Sequence, residues 1–297
     1  MRAAYPPLVR IAHVTDIHVQ QPPEWSELNA FKRVLGAANL YLAGRVGHFQ
    51  REVQEALVQA VRQQEPDLLA CTGDLTAMST DSEWAAAKQL LGPMFEGQPS
   101  VLIPGNHDVY VAADESRRPI EQHFGDYTGA GDWPRVHVHG GVRFIGVDVC
   151  KARWILSHGV ADPEMLKRLD EVLAQPFDGF TFVMLHYPLR GRRGEPYGPN
   201  TRNIENAAAV EEVLLGHQSA VGAILHGHEH HGFRVSLGDI PILNPGSSGY
   251  AWLPKKGRTA HFCVYTVEDK RLASVDRFRF DGEAFVPEPG GAWATGG

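Results

Sequence analysis

Five short blocks of metal-ligating residues recur along this 297-residue chain, each standing directly after a short apolar run. Asp16-x-His18 follows residues 8–14, Gly73-Asp74 follows 67–72, and Gly105-Asn106-His107-Asp108 follows 100–103. His186 follows 181–185, and His226-Gly227-His228 follows 220–225. The apolar runs have strand length. In an open α/β sheet, the edge beyond the C-terminal ends of the strands is where ligands bind.

Between these runs the pattern turns helical. Residues 27–63 carry Phe31, Val34, Leu35, Ala38 and Leu42, then Val53, Ala56, Leu57 and Ala60, at i, i+3, i+4 spacing, and Pro66 closes the stretch. Helices are also expected over 82–91, entered through Asp81 or Ser82 as cap, and over 163–174 and 204–215. Further strands are expected at 142–149, 180–185, 220–225 and 240–243. Strands alternating with helices imply α/β layers with largely parallel pairing. Residues 261–267 and 273–280 read instead as antiparallel strands joined by tight turns. There is no internal repeat. A single domain over 1–284 is expected, with a helical insertion at 28–63 and a loose Gly- and Pro-rich tail over 285–297.

Composition removes several classes. Hydrophobic residues at 43% and charged residues at 21% are globular values, so disordered and fibrous chains drop out. No apolar run approaches the roughly 18 residues of a membrane span. The start, MRAAYPPLVRIAHVTD, lacks a signal peptide's apolar core, and three widely spaced cysteines form no disulfide framework, so a cytoplasmic location is expected. A net charge of −7 argues against a nucleic-acid partner.

The blocks make chemical sense together. In D-x-H and H-G-H the two side chains stand at i and i+2, which in extended backbone puts both on one side. Carboxylate, imidazole and amide oxygen suit Mn, Fe or Zn; Ca wants all-oxygen cages. Seven such ligands, with one carboxylate free to bridge, are enough for two ions about 3.5–4 Å apart. Any one triplet arises by chance. Five in one chain, each at a strand end, do not.

This series resembles the calcineurin-like metallophosphoesterases. The resemblance spans about residues 8–250 and implies a four-layer α/β/β/α sandwich of two mixed β-sheets flanked by helices. The family's last block, often written G-H-x-H, can be aligned in two ways on HGHEH, residues 226–230. The apolar lead Ile224-Leu225 favours His226 and His228 as the ligands, with His230 beside the site; the alternative takes His228 and His230. Under the favoured alignment the resemblance implies two divalent transition-metal ions (Mn, Fe or Zn). Asp16, His18, Asp74 and His228 would hold one, and Asp74, Asn106, His186 and His226 the other. It further implies a hydroxide shared by the ions as nucleophile, His107 as general acid, and Asp108 as the residue orienting it.

The G-N-H-D block with an N-terminal D-I-H resembles the branch containing class III cyclic-nucleotide phosphodiesterases, which points to a small-molecule phosphodiester. Protein phosphatases of the superfamily show G-D-x-x-D-R-G and G-N-H-E, a pattern this chain lacks. A non-catalytic scaffold on the same fold would have lost ligands, and all are present. Residues 28–49 carry Phe31, Leu35, Leu42, Val46 and Phe49 with Lys32, Arg33 and Arg45 and no acid. Such a helix packs its apolar face on the domain, or lies on an anionic membrane surface and takes a lipid substrate. Against closeness to the lipid A pathway hydrolases, these carry Arg where His107 stands here. The Gly/Pro-rich loop 188–203 offers Arg190, Arg192 and Arg193 for a phosphate, with Tyr197 and Asn200 within reach of a base or sugar. Asp148 could support the site or be a buried structural carboxylate.

Overall fold

The computed structural model describes residues 8–198 and 200–288. The chain opens with β1 (Val9–Val14), α1 (Phe31–Ala37), α2 (Arg51–Gln63), β2 (Leu68–Cys71), α3 (Asp81–Phe95) and β3 (Ser100–Leu102). Two short helices, α4 (Ala112–Arg117) and α5 (Pro119–Thr128), lead to the hairpin of β4 (Arg135–His139) and β5 (Val142–Gly146). Next come α6 (Pro163–Ala174), β6 (Phe180–Met184), α7 (Ala207–Gly216) and β7 (Ala223–Leu225). A second hairpin, β8 (Phe233–Leu237) and β9 (Ile240–Asn244), precedes β10 (His261–Glu268), β11 (Arg271–Phe280) and β12 (Phe285–Pro287).

Two six-stranded sheets result, in the orders β12-β11-β10-β1-β2-β3 and β4-β5-β6-β7-β9-β8. Parallel pairing joins β1-β2-β3 and β5-β6-β7-β9, and antiparallel strands close the flanks. Side-chain alternation then decides the layers. Ile11, Leu68 and Ala70 meet Phe144, Phe182 and Leu225 between the sheets. Their neighbours Ala12, Leu69 and Cys71 face outward onto Leu57 and Val61 of α2 and Trp84 and Leu91 of α3. On the other side Ile145, Val183 and Ile224 meet Leu166 and Leu169 of α6 and Val210 and Leu214 of α7. Strands covered on both faces are predominantly apolar, and each fully buried large apolar side chain contributes roughly 1.5–3 kcal/mol. This is the expected α/β/β/α sandwich.

The departures have local causes. Helix α3 is capped by Thr80, not by Asp81 or Ser82: the Thr80 hydroxyl accepts from Glu83 N–H, and the Glu83 carboxylate answers the Thr80 N–H. Strand β4 escaped the sequence reading because it is an edge strand with exposed Val136 and Val138. Residues 285–287 pair with β11, so chain expected to be loose from 285 is a strand at its start; the expected tail beyond 288 lies outside the described residues.

The insertion is not one long helix. It breaks after α1 into a wide turn at Ala38–Leu42, a left-handed Gly44 and a tight turn at Arg45–His48 before α2. Its second half, α2, packs on the domain, and Phe49 packs on His18 and Tyr250, but the apolar residues of 31–46 do not. Phe31, Leu35, Leu42 and Val46 are exposed, while Arg33 is buried. Among the described residues no helix is long and apolar enough to cross a membrane.

Candidate metal centre

The blocks after β1, β2 and β3 and those after β6 and β7 meet where the C-terminal edges of the two sheets face each other. Asp74 stands at the middle. Its Oδ2 lies 3.6 Å from His18 Nε2 and 3.4 Å from His186 Nε2, while its Oδ1 accepts from the His107 N–H at 2.7 Å. On one side of Asp74 are Asp16, His18 and His230. His230 Nε2 is 3.4 Å from Asp16 Oδ1 and 3.1 Å from His18 Nε2. On the other side are Asn106, His186 and His228. Asn106 Oδ1 is 3.1 Å from His186 Nε2 and 2.9 Å from His228 Nδ1, and the two imidazole nitrogens approach to 3.3 Å.

These separations fit shared cations. Donors about 2.1 Å from one ion stand roughly 3.0–3.4 Å apart, from octahedral to tetrahedral geometry. The tautomers fit too. His18 Nδ1 donates to Thr76 O and His186 Nδ1 to Thr72 O, which leaves each Nε2 lone pair turned into the centre. Burial pushes His18 down to about 3, keeping it neutral as a ligand must be. At His186 burial acts in the same direction, but Asp74 and Asp16 outweigh it and raise the imidazole to about 9. Two buried carboxylates thus set up a field that calls for positive charge. The donor set is that of Mn, Fe or Zn sites.

The backbone is bent to achieve this. Asp16, His18, Asp74, His228 and His230 all have left-handed φ, between 50° and 70°. The expectation that D-x-H projects both side chains from extended chain is therefore corrected; two left-handed residues flanking one other do it instead. Conformations of this kind persist where surrounding contacts hold them and cluster at functional sites. Ser247 Oγ donates to Asp16 O and Gln54 Nε2 to Ile17 O, while the His228 N–H donates to the Asp16 carboxylate. Close approach also fixes two glycines. A β-carbon on Gly105 would meet Asp74 Oδ1 at 2.1 Å, and one on Gly227 would meet Thr15 Oγ1 at 2.0 Å.

The preferred alignment of the last block is corrected. His226 closes β7 but turns away: its Nδ1 donates to Gly227 O, Asn244 Nδ2 stands 3.4 Å off, and its ring packs on Phe233. It is His228 and His230 that reach the two sides of Asp74. The signal was present as the overlapping G-H-x-H letters, and the apolar lead before His226 misdirected the choice.

His107 stands beside the centre with one ring nitrogen within 4.8 Å of donor atoms of His18 and Asp74. Its Nδ1 donates to Ala77 O at 2.6 Å, and its ring stacks on Tyr110, so Nε2 is the free nitrogen. Asp108 does not orient this ring, contrary to expectation. Its carboxylate accepts from the N–H groups of Asp74, Leu75, Thr76 and Gly105, splicing the turn after β2 to the turn after β3. Asp148 accepts from the Cys150 N–H, outside the cluster.

A cavity of about 920 Å³ opens over the centre. The insertion walls it with Gly36, Asn39, Leu40, Arg45, His48 and Phe49. Of the three loop arginines only Arg192 lines it; Arg190 is drawn off to Glu211 and Arg193 faces solvent. Arg202, which the sequence reading passed over, lines it as well. Tyr197 spends its hydroxyl on Glu229, and Asn200 is exposed.

Residues 9–232 match the model of the calcineurin-like phosphoesterase family. A probable cyclic nucleotide phosphodiesterase of Vesicomyosocius okutanii subsp. Calyptogena okutanii (strain HA) is 26% identical over 180 residues, which are 60% of this chain and 68% of that one. A probable glycerophosphodiester phosphodiesterase, GpdQ, of Arcobacter nitrofigilis is 24% identical over 223 residues, 70% of this chain and 74% of that one. Among solved structures, the purple acid phosphatase PPD1 of yellow lupin (Lupinus luteus) seeds shares the fold with a TM-score of 0.60 at 13% identity, over 95% of this chain and 53% of its own. A dimetal phosphatase from Danio rerio does so with a TM-score of 0.56 at 13% identity, over 94% of this chain and 98% of its own. The chain belongs to the calcineurin-like phosphoesterase family and is a metal-dependent phosphoester hydrolase.

Proposed function

We propose that this hydrolase cleaves phosphodiesters at a dinuclear centre. Asp16, His18, Asp74 and His230 would hold one ion and Asp74, Asn106, His186 and His228 the other. The observation that carries the reading is Asp74 Oδ2, one oxygen placed within 3.6 Å of the imidazoles of both clusters. Divalent ions there supply Lewis acidity, lowering the pKa of water and offsetting charge that develops on phosphoryl oxygens. The rest falls to the chain's own residues. The Ala77 carbonyl and the Tyr110 ring hold His107 so that Nε2 can carry a proton to the leaving alkoxide. Asp108 keeps Asp74 in register. Arg192 and Arg202 offer cations to the phosphate or to a second anionic group. In the balanced reaction the oxygen of water bonds to phosphorus and the P–O ester bond breaks with its electron pair on the alkoxide. One proton of water ends on the released alcohol and the other passes to solvent.

Two relatives with diesterase names support a diester over a monoester, one suggesting a cyclic nucleotide and the other a glycerophosphodiester. Three buried free thiols suit a reducing, cytoplasmic setting. The test is hydrolysis of bis-p-nitrophenyl phosphate against p-nitrophenyl phosphate by protein stripped with chelator and reloaded with Mn²⁺, Fe²⁺ or Zn²⁺. Preference for the diester is expected, with Asp74→Ala reducing turnover by about 10³-fold or more as both ions lose their shared ligand. Preference for the monoester would overturn the reading.

A further inference from the structure

We propose that the apolar rim of the cleft, residues 31–46 with 154–156, docks the enzyme on an anionic lipid bilayer, where it hydrolyses phosphodiesters of lipid headgroups. The inference rests on the diesterase reading of the centre for its substrate, and on the rim alone for its surface.

Exposed apolar side chains gather at this rim. Of fourteen large hydrophobic residues exposed among the described residues, eight belong to these two segments: Phe31, Val34, Leu35, Leu42, Val46, Trp154, Ile155 and Leu156. Leu42 is 86% exposed and Trp154 74%. The segments lie more than a hundred residues apart in sequence yet meet in space. The rings of Phe31 and Trp154 are 5.8 Å apart, and Lys32 Nζ donates to Leu156 O. A contiguous patch of this kind marks an interaction site.

Helix α1 is inverted relative to an ordinary surface helix, which turns its apolar stripe inward. Here the inward residue is Arg33, which donates to Ser79 O at 2.6 Å and pairs with Asp114 at 3.0 Å. Gly36 presses so close to Tyr110 that a β-carbon would meet its hydroxyl at 2.6 Å. The outward direction of Phe31, Val34 and Leu35 is thus fixed by buried contacts.

Charge and position select the occupant. Residues 28–50 and 150–158 contain no Asp or Glu, in a chain of net charge −7; Arg33 pairs inward with Asp114 and Arg153 with Glu205, and Lys32, Arg45 and Lys151 are the cations the two segments add to the rim. Arg45 is exposed between Leu42 and Val46. Cations interleaved with Trp and Leu suit an anionic membrane surface, whereas a two-fold contact between copies would set these cations against themselves. The same segments wall the cleft through Gly36, Asn39, Leu40 and Arg45 on one side and Ser157 on the other. A headgroup phosphodiester in the cleft therefore leaves its acyl chains at the rim. The reaction is the same addition of water across the P–O bond, releasing one alcohol and one phosphomonoester.

Flotation of the metal-loaded full chain with phosphatidylcholine vesicles, with and without phosphatidylglycerol, tests the surface. Binding to the phosphatidylglycerol vesicles is expected, reduced about tenfold or more in Leu42→Asp/Trp154→Asp, together with hydrolysis of the vesicle lipid. Bis-p-nitrophenyl phosphate turnover and the melting temperature should stay at wild-type values in that variant, which shows it is folded. Wild-type protein that turns over the soluble diester but does not float would overturn the proposal, as would a variant that floats undiminished. A dimer in sedimentation velocity that the variant dissociates would overturn it in favour of contact between copies. Flotation without diester turnover would instead sink the catalytic reading and leave the lipid surface standing.

Discussion

The floor of the cleft buries charge and its rim exposes hydrocarbon, so both regions invert the ordinary partition of residues between core and surface. The inversions are maintained differently. At the floor, Asp16, Asp74, Asp108 and His186 are all but inaccessible to solvent, and each has nearby donors or opposite charges that offset the loss of water. At the rim, Leu42 and Trp154 have no such compensation within the chain. Beside them, the outward face of α1 is held by the buried contacts of Arg33 with Asp114 and Ser79 and of Gly36 with Tyr110. The floor is self-consistent chemistry; the rim is the surface that the lipid-docking proposal would cover.

The largest effects should come from the floor, and they discriminate between its histidines. Replacing His230 by Ala removes a nitrogen that stands 3.1 Å from His18 Nε2. Metal analysis of the reloaded variant should show one of two ions lost, and diester turnover should fall by about 10²-fold or more. His226→Leu removes a ring that touches Phe233 and Gly227 O outside the cluster. It should keep both ions and turnover within about threefold. The opposite ranking would restore the alignment that the letters before His226 suggest.

A middle-sized effect belongs to the seam between the two regions. Arg33→Ala leaves the Asp114 carboxylate buried without its guanidinium, and loss of one partner of a buried pair costs about 3–5 kcal/mol. Leu42→Asp, nine residues along the same insertion, changes only an exposed side chain and should shift stability by no more than about 0.5 kcal/mol. Urea titration of both variants measures the contrast. Equal losses would mean that the rim is packed and that its exposure is not a property of the folded chain.

The two regions were also unequally legible. Strand ends with ligand residues announce themselves, because chemistry restricts residue type and the sheet edge restricts position. Asp16, His18, Asp74, Asn106 and His186 were singled out that way; strand–helix alternation gave the α/β layering, and the four-layer sandwich came from the family resemblance. The left-handed backbone at Asp16 and His18 was not, since i, i+2 spacing alone does not distinguish extended chain from two left-handed residues. His226 was chosen wrongly because strand periodicity says where a strand ends, not which way a ring turns. The inversion of α1 was invisible for a related reason. Periodicity shows that a helix has an apolar face, and only the tertiary pairing of Arg33 with Asp114 shows which way it points. Arg202 stands in the same Gly/Pro-rich loop as Arg192, and nothing in the letters said which of its arginines turn into the cleft.

The smallest effect asks whether a buried carboxylate with no cation bonded to it stays ionised. Glu83, under the insertion, is fully buried; its Oε2 accepts from Met78 N–H and Thr80 N–H, and Oε1 has no partner. Burial pushes it up to about 8, against those backbone donors and Arg33. With no cation centre to compensate it, Glu83 belongs in the neutral form at pH 7. Between the ordinary value of 4.5 and about 8 the folded chain keeps a proton that the unfolded chain has released. Stability should therefore fall as pH rises through that window, with the loss complete above it. Glu83→Gln carries a fixed neutral group and should lack that slope. Melting curves at about pH 5.5 and about pH 8.5 read the difference, and the variant should gain about 3 °C or more on wild type at the higher pH. Comparing the two pH values cancels any constant cost of the amide. Parallel curves would mean that Glu83 is ionised throughout, and that this fold buries carboxylate charge without a paired cation.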